Sequence, residues 1–130
     1  MTVPFVCVFV AAALIYLPRV FTLVGQRMRP EGWDNNSPRA QQALLTGWAG
    51  RARDAHANAF ESFAPFAAAV LVAHLSHADA EWSKWLAVTH VVARTAYPMI
   101  YIANLASLRS FVWFVGIGAT FGLFVLALRA

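Results

Sequence analysis

The feature that most constrains this chain is an apolar stretch without a charged side chain, Phe111–Leu128, near the C-terminal end. A helix needs about 20 mostly apolar residues to cross the hydrocarbon core of a bilayer. Three further apolar segments precede it, at about residues 3–24, 55–74 and 82–105. Only 12% of the residues are charged, whereas soluble domains carry about 25%. The sequence therefore predicts one all-α domain over residues 1–130, an integral membrane four-helix bundle, and excludes an ordinary water-soluble globule.

The connections between the segments predict an up-down path and an orientation. Residues 25–42 form the one substantial loop, and the other two connections are short, so consecutive helices are expected to run antiparallel. Most basic residues lie before the second and fourth segments: Arg27, Arg29, Arg39, Arg51, Arg53 and Arg109. Because basic loops stay in the cytoplasm, both termini are predicted on the non-cytoplasmic side. The net charge of +4 comes without a long basic run, so nucleic acid is not an expected partner.

This path brings polar residues from all four segments to one depth, in the cytoplasmic half of the membrane. They are Arg19, Asn58, Glu61, Arg94, Tyr97, Tyr101, Arg109 and Ser110. At about 1.5 Å per residue, Arg94 lies ~18 Å along its helix from Trp82, near the middle of a ~30 Å hydrocarbon core. A central arginine costs about 2.5 to 3.5 kcal/mol to insert. We therefore expect Arg94 inside the bundle, with Glu61 as its partner.

This group of polar residues has a structural and a functional interpretation. A buried ion pair, interfacial tyrosines and an amide between two helices can simply stabilise a fold. Several ionisable groups at membrane depth, however, favour a functional site. Arginine donates in pairs to carboxylates, glutamate accepts from an amine, and tyrosine adds a hydroxyl, so the set suits a small zwitterion with several carboxylates. If that molecule carried a thiol, a neighbouring arginine would stabilise the thiolate.

Two spaced motifs resemble those of the MAPEG family, the membrane-associated proteins in eicosanoid and glutathione metabolism. The first motif lies in the second segment and comprises Arg51, His56, Asn58, Glu61, Pro65 and Phe66. The second comprises Arg94, Tyr97, Tyr101, Arg109 and Ser110. Gly25 and Gln26, at the end of the first segment, are similar to a third family segment. The resemblance covers about residues 16–128.

The resemblance implies a homotrimer of four-helix subunits that holds glutathione between neighbouring subunits, near the cytoplasmic face. The glutathione-binding residues would be Arg51, Asn58, Glu61, Arg94, Tyr97 and Tyr101. Arg109 would stabilise the thiolate of glutathione, and Ser110 would assist it. The implied activity is that of a glutathione-dependent transferase or peroxidase acting on hydrophobic electrophiles, with lipids and hydrophobic small molecules as partners.

Other functions remain open from the sequence. Asp54 and Ala57 stand where the glutathione-dependent enzymes of the family typically have arginine. The family also includes a member that binds lipids without catalysing a reaction, so a non-catalytic lipid- or partner-binding protein on the same scaffold is the main alternative. A small multidrug exporter would carry its membrane carboxylate in the first segment, whereas Glu61 lies in the second. His74 and His77 lie on an exterior turn and are not expected to bind a metal.

Overall fold

The computed structural model describes every residue from Met1 to Ala130 and contains helices without strands. The helices are α1 (Val3–Leu14), α2 (Leu17–Arg27), α3 (Pro38–Ala43), α4 (Gly47–Leu75), α5 (Ala80–Ile102) and α6 (Ala106–Ala127). Three segments are long and apolar enough to cross a membrane: Val3–Arg27, which joins α1 to α2, Gly47–Leu75 and Ala106–Ala127. The 23-residue α5 is less apolar, since it contains Glu81, Lys84, His90 and Arg94. Its crossing of the membrane stays a prediction.

A proline divides the first apolar segment into α1 and α2. Pro18 has no amide proton, and its ring clashes with the carbonyl four residues earlier. That carbonyl belongs to Leu14, the last residue of α1. In the break, the carbonyl of Ile15 accepts a hydrogen bond from Nδ1 of His56, at 2.8 Å. A residue of α4 therefore satisfies a backbone group that the interrupted helix leaves free.

Two of the long helices extend beyond the apolar segments that predict them. α4 begins at Gly47 and α6 at Ala106, each several residues before its predicted start, and α3 begins within the predicted loop at residues 25–42. Polar residues can continue a helix outside the hydrocarbon core, so hydropathy marks the middle of such a helix better than its ends. As a result Arg109 and Ser110 lie within the first turns of α6 rather than before it.

Contacts between the helices give the direction of the chain. The end of α2 packs on the start of α4, where Gly25 lies directly against Ala49. The start of α1 lies against the end of α4, where the rings of Phe5 and His74 are 4.9 Å apart. α5 follows α4 after a tight turn and packs most extensively against α6. Consecutive long helices are thus antiparallel, as the short connections predict.

Apolar side chains cover the outside of the molecule as well as its interior. The core between α1, α4, α5 and α6 is built from small and branched residues around Phe66 and Leu123. Large apolar side chains also point outward, including Phe9 (71% exposed), Val92 (63%) and Phe114 (66%). In water such a surface would drive aggregation. This distribution is that of a membrane protein, in which lipid covers the outer face.

Replacing Gly25 by alanine is expected to destabilise the protein. The added methyl group would overlap Cβ of Ala49, so α2 and α4 would have to separate. Overpacking of this kind typically costs about 1 to 3 kcal/mol. Thermal unfolding of the detergent-purified protein should have a lower midpoint for Gly25→Ala than for Gly118→Ala, whose methyl group meets nothing within 4 Å. Equal midpoints would contradict the close approach of the two helices.

Candidate functional site

An open groove of about 540 Å³ lies between α4, α5 and α6, at the end of the molecule where α4 begins. Its lining consists of Asp54, Ala57, Asn58, Glu61, Tyr97, Tyr101, Arg109, Ser110, Trp113 and Phe114. Six of the eight site residues predicted from the sequence are among them: Asn58, Glu61, Tyr97, Tyr101, Arg109 and Ser110. The structure therefore brings polar residues from three helices to one surface.

Helical spacing explains how each helix presents its residues to the groove. Asn58 and Glu61 are three residues apart on α4, and Tyr97 and Tyr101 are four apart on α5. Side chains at these spacings lie on one face of a helix. Because α4 and α5 are antiparallel neighbours, the start of one and the end of the other reach the same level.

Arg94 lies directly behind the groove rather than in its lining. The residue is only 7% exposed. Its Nη2 atom donates hydrogen bonds to the side-chain Oδ1 of Asn58 at 2.9 Å and to the backbone carbonyl of the same residue at 3.2 Å. On the other side, the stem of Arg94 packs beside Gly116 of α6, where an added Cβ would lie in ordinary contact, 3.5 Å from Cδ of the arginine. One buried cation thus holds α5 to α4.

The prediction of a direct ion pair between Arg94 and Glu61 is wrong. The ion pairs of the chain lie elsewhere, and Asn58 stands between the two residues. Its Nδ2 atom donates to Oε2 of Glu61 at 3.2 Å, while its Oδ1 accepts from Arg94. An amide can do both because it carries a donor and an acceptor. The carboxylate of Glu61 is therefore indirectly linked to the buried cation and remains exposed in the groove.

Aromatic rings connect the buried Arg94 to a second arginine at the groove. The guanidinium carbon of Arg94 lies 4.4 Å from the ring centre of Tyr97, and that of Arg109 lies 4.5 Å from the ring centre of Tyr101. The two tyrosine rings meet edge to face, with centres 5.7 Å apart. Cation–π contacts of this kind contribute roughly 0.5 to 2 kcal/mol each, depending on solvation. They position Arg109, which forms no ion pair within the chain.

Arg51 is the predicted site residue that lies outside this arrangement. Its Nε atom donates a hydrogen bond to the carbonyl of Ile102, the last residue of α5, at 2.9 Å. A cation there satisfies a free carbonyl and interacts favourably with the helix dipole. Within a single chain, Arg51 therefore stabilises the end of α5 and does not line the groove.

Four residues of the groove were not among the predicted site residues: Asp54, Ala57, Trp113 and Phe114. Trp113 and Phe114 follow Ser110 by three and four residues, so the helical spacing could have identified them. Asp54 precedes Asn58 by four residues and lies on the same face of α4. Asp54 pairs with its neighbour Arg53, whose Nη2 is 2.8 Å from the carboxylate. The groove thus has two carboxylates and one guanidinium group in its lining.

Replacing Asn58 by alanine is expected to destabilise the fold. Arg94 would retain only the backbone carbonyl as an acceptor, and hydrogen bonds to charged groups contribute about 1.5 to 3 kcal/mol. Ser62→Ala is the control, because it removes a hydroxyl from the next turn of α4 that bonds only to the carbonyl of Ala59. Denaturant titration in detergent micelles should give a lower unfolding free energy for Asn58→Ala than for Ser62→Ala. Equal losses would mean that the side chain of Asn58 does not hold Arg94.

One of three comparisons with known proteins identifies the family of the chain. No curated protein and no solved structure matches the chain significantly. The model of the MAPEG family, in contrast, matches residues 3–129. This match includes every helix and every residue of the groove, and it extends beyond the part of the chain that carries the recognisable motifs. The chain belongs to the MAPEG family.

Proposed function

We propose that the chain is a membrane-embedded, glutathione-dependent transferase or peroxidase that acts on hydrophobic electrophiles. The observation that carries the proposal is the groove, whose lining has hydroxyl, amide and carboxylate groups together with Arg109. Arg109 forms no ion pair with the carboxylates of the chain, so its guanidinium group is free to bind a ligand. Membership of the MAPEG family supports glutathione as the thiol that this groove binds.

The groove suits glutathione in size and in most of its chemistry. Its volume of about 540 Å³ lies within the range of small-molecule sites, about 300 to 1,000 Å³. The carboxylate of Glu61 can accept from the ammonium group of the tripeptide, and the hydroxyls of Tyr97 and Tyr101 can bond to its peptide groups. Arg109 can pair with an anion.

A second copy of the chain would supply the second cation that the two carboxylates of glutathione require. Glutathione has two carboxylates, but the groove of one subunit has one guanidinium group in its lining. Arg94 is already bound to Asn58, and Arg51 to the end of α5. We therefore propose that glutathione lies in a cleft between subunits, where the neighbouring copy provides a further cation.

The exposed face of α4 supports assembly into an oligomer, for which the family resemblance implies a homotrimer. Glu61 is exposed on a membrane-competent helix, and a charged side chain that faces lipid near the membrane centre costs about 2.5 to 3.5 kcal/mol. The same face carries the exposed small residues Ala57, Ala64 and Ala68. Small residues let helices in a membrane approach closely. Packing of this face against another subunit would remove Glu61 from lipid.

The path of the chain supports α5 as a fourth membrane span. α4 and α6 are each long and apolar enough to cross the membrane, and α5 is joined to both by short turns. If α4 and α6 cross, α5 has to return across the membrane between them. The subunit would then be a four-helix up-down bundle, with its basic end in the cytoplasm and both termini on the opposite side.

The residues of the groove would bind the thiol and stabilise its anion. Bound glutathione supplies the sulfur nucleophile of the reaction. The guanidinium group of Arg109 favours the thiolate by its charge, and the hydroxyl of Ser110 can donate a hydrogen bond to the sulfur. Trp113 and Phe114 provide an apolar side to the groove, and Phe114 is 66% exposed towards the lipid-facing surface. A hydrophobic electrophile can therefore reach the thiolate from the membrane.

A second candidate function is non-catalytic binding of a lipid or a protein partner in the same groove. The specific observation in its favour is Asp54, which adds a second carboxylate to the lining. A carboxylate at this position repels the carboxylates of glutathione unless Arg53, to which Asp54 is paired, offsets its charge.

The conjugation of glutathione with a chloro-dinitrobenzene tests the enzymatic proposal. The thiolate forms a C–S bond at the ring carbon, the C–Cl bond breaks, and chloride leaves. Arg109→Ala is expected to lower kcat at least about tenfold, equivalent to about 1.4 kcal/mol of transition-state stabilisation, with a smaller change in KM. Arg109→Lys should keep part of the rate, and Arg129→Ala, at the C-terminal end, should behave as the wild type.

Hydroperoxide reduction by glutathione is the companion assay. The same thiolate can attack the O–O bond, so that an S–O bond forms, the O–O bond breaks and the alcohol leaves, and a second glutathione then converts the sulfenic acid to the disulfide with release of water. If folded wild-type protein catalyses neither reaction, the transferase or peroxidase function is wrong. A lipid that copurifies with the protein, together with thermal stability that glutathione does not change, would then support the binding function.

A further inference from the structure

The outer end of the groove carries a carboxylate to which the proposed reaction gives no role. Asp54 lines the groove from α4, and its side chain is 44% exposed. Arg51, one helical turn before it, donates to the carbonyl of Ile102 at the end of α5. Asp54 therefore lies at the level where Tyr101 of α5 and Arg109 of α6 also line the groove.

Arg53 offsets only part of the charge of this carboxylate. Its Nε and Nη2 atoms lie 2.9 and 2.8 Å from the same oxygen, Oδ1 of Asp54. Its Nη1 atom is occupied elsewhere, because it donates to the carbonyls of Gln42 and Ala43 at the end of α3. The second oxygen of Asp54, Oδ2, accepts no hydrogen bond within the chain. It is free to accept one from a ligand in the groove.

The two carboxylates of the groove are separated by about the length of a tripeptide. Asp54 and Glu61 are seven residues apart on α4, a spacing that places them on one face of the helix. Seven residues at about 1.5 Å each span roughly 10 Å, and three extended residues span at most about 10 to 11 Å. A tripeptide that runs along α4 with its ammonium group at Glu61 therefore brings its C-terminal group to Asp54.

The glycine carboxylate of glutathione would meet a like charge at this end of the groove. The one cation in the lining, Arg109, serves the thiolate in the proposed reaction and is not available for this carboxylate. The other carboxylate of glutathione, beside its ammonium group, lies at the Glu61 end, which the proposed assembly covers with a second subunit. An amide in place of the glycine carboxylate removes the repulsion, and its N–H groups can donate to Oδ2 of Asp54.

We propose that Asp54 determines which C-terminal group of the thiol peptide the groove accepts, and that a neutral hydrogen-bond donor such as an amide is preferred over a free carboxylate. Glutathione binds in the proposed manner, but the same peptide with a C-terminal amide binds more tightly. The inference rests on the proposed function, because it takes a thiol peptide with its ammonium group at Glu61 as the ligand.

Three probes that differ only at the glycine carboxylate test the inference: glutathione, its glycyl ethyl ester and its glycyl amide. Their binding is measured by calorimetry on the full chain in detergent micelles. For the wild type we expect a dissociation constant roughly threefold to tenfold lower for the amide than for glutathione, with the ester between them because it is neutral but has no N–H to donate. The difference should shrink at high salt, because the groove is open to solvent.

Asp54→Asn keeps the shape of the side chain and removes its charge. In this variant glutathione and its amide should have dissociation constants within about twofold of each other. The exposed pair with Arg53 contributes little to stability, so the variant is expected to fold. Glu31→Gln is the matched control and should keep the wild-type order of the probes, because Glu31 is an exposed carboxylate that is paired with Arg29 and lies outside the groove.

Two results would overturn the inference and leave the proposed function standing. One is wild-type protein that binds glutathione as tightly as the amide. The other is a preference for the amide that persists unchanged in Asp54→Asn, since another residue would then cause it. If none of the three probes binds to folded wild-type protein, the inference fails together with the proposed function. If Asp54→Asn does not fold, the order of the probes on the wild type and its salt dependence still decide the outcome.

Discussion

The hydrogen bonds between Arg94 and Asn58 are the interaction on which the polar end of this protein depends. A guanidinium group buried between helices has lost most of its contact with water, so the protein has to supply acceptors for it. Asn58 supplies two, one from its side chain and one from its backbone. Because the two residues belong to α5 and α4, satisfying the cation also fixes one helix against the other. The ring of Tyr97 contacts Arg94, the ring of Tyr101 contacts Tyr97, and Arg109 contacts Tyr101. These successive contacts position Arg109 relative to the buried Arg94.

Much of this site could be predicted from the sequence, and what could not has a physical reason. Apolar segments and helical spacing depend on local residue order, so they were sufficient to place Asn58, Glu61 and the tyrosines on facing surfaces. The choice of Asn58 rather than Glu61 as the partner of Arg94 depends on how closely α4 and α5 approach and on the reach of each side chain. A hydropathy profile contains neither the separation of the two helices nor the reach of a side chain. The early start of α6, which carries Arg109 into a helix, was missed because polar residues can extend a helix beyond the membrane.

The two ends of the molecule are built for different chemistry. The groove combines one guanidinium group with carboxylates and hydroxyl groups, which suits a charged peptide that carries a thiol. The opposite end has an open cleft, lined by the paired Lys84 and Glu81, by His74 and His77, and by apolar residues at its base. A membrane protein of this size can hold both because its helices need little internal core, and lipid rather than protein covers their outer faces. The exposed Glu61 is the exception on that outer face, and it links the chemistry of the groove to the proposed assembly of subunits.

A calorimetric titration of glutathione into the purified wild-type protein tests the central claim most directly, because it measures binding without assuming a reaction or a second substrate. The account predicts saturable heat at millimolar or lower concentrations of glutathione, a rise in the unfolding temperature with ligand, and weaker binding by Glu61→Gln, which loses the acceptor charge for the ammonium group. No heat and no thermal shift at millimolar glutathione would contradict the assignment of the groove to this tripeptide.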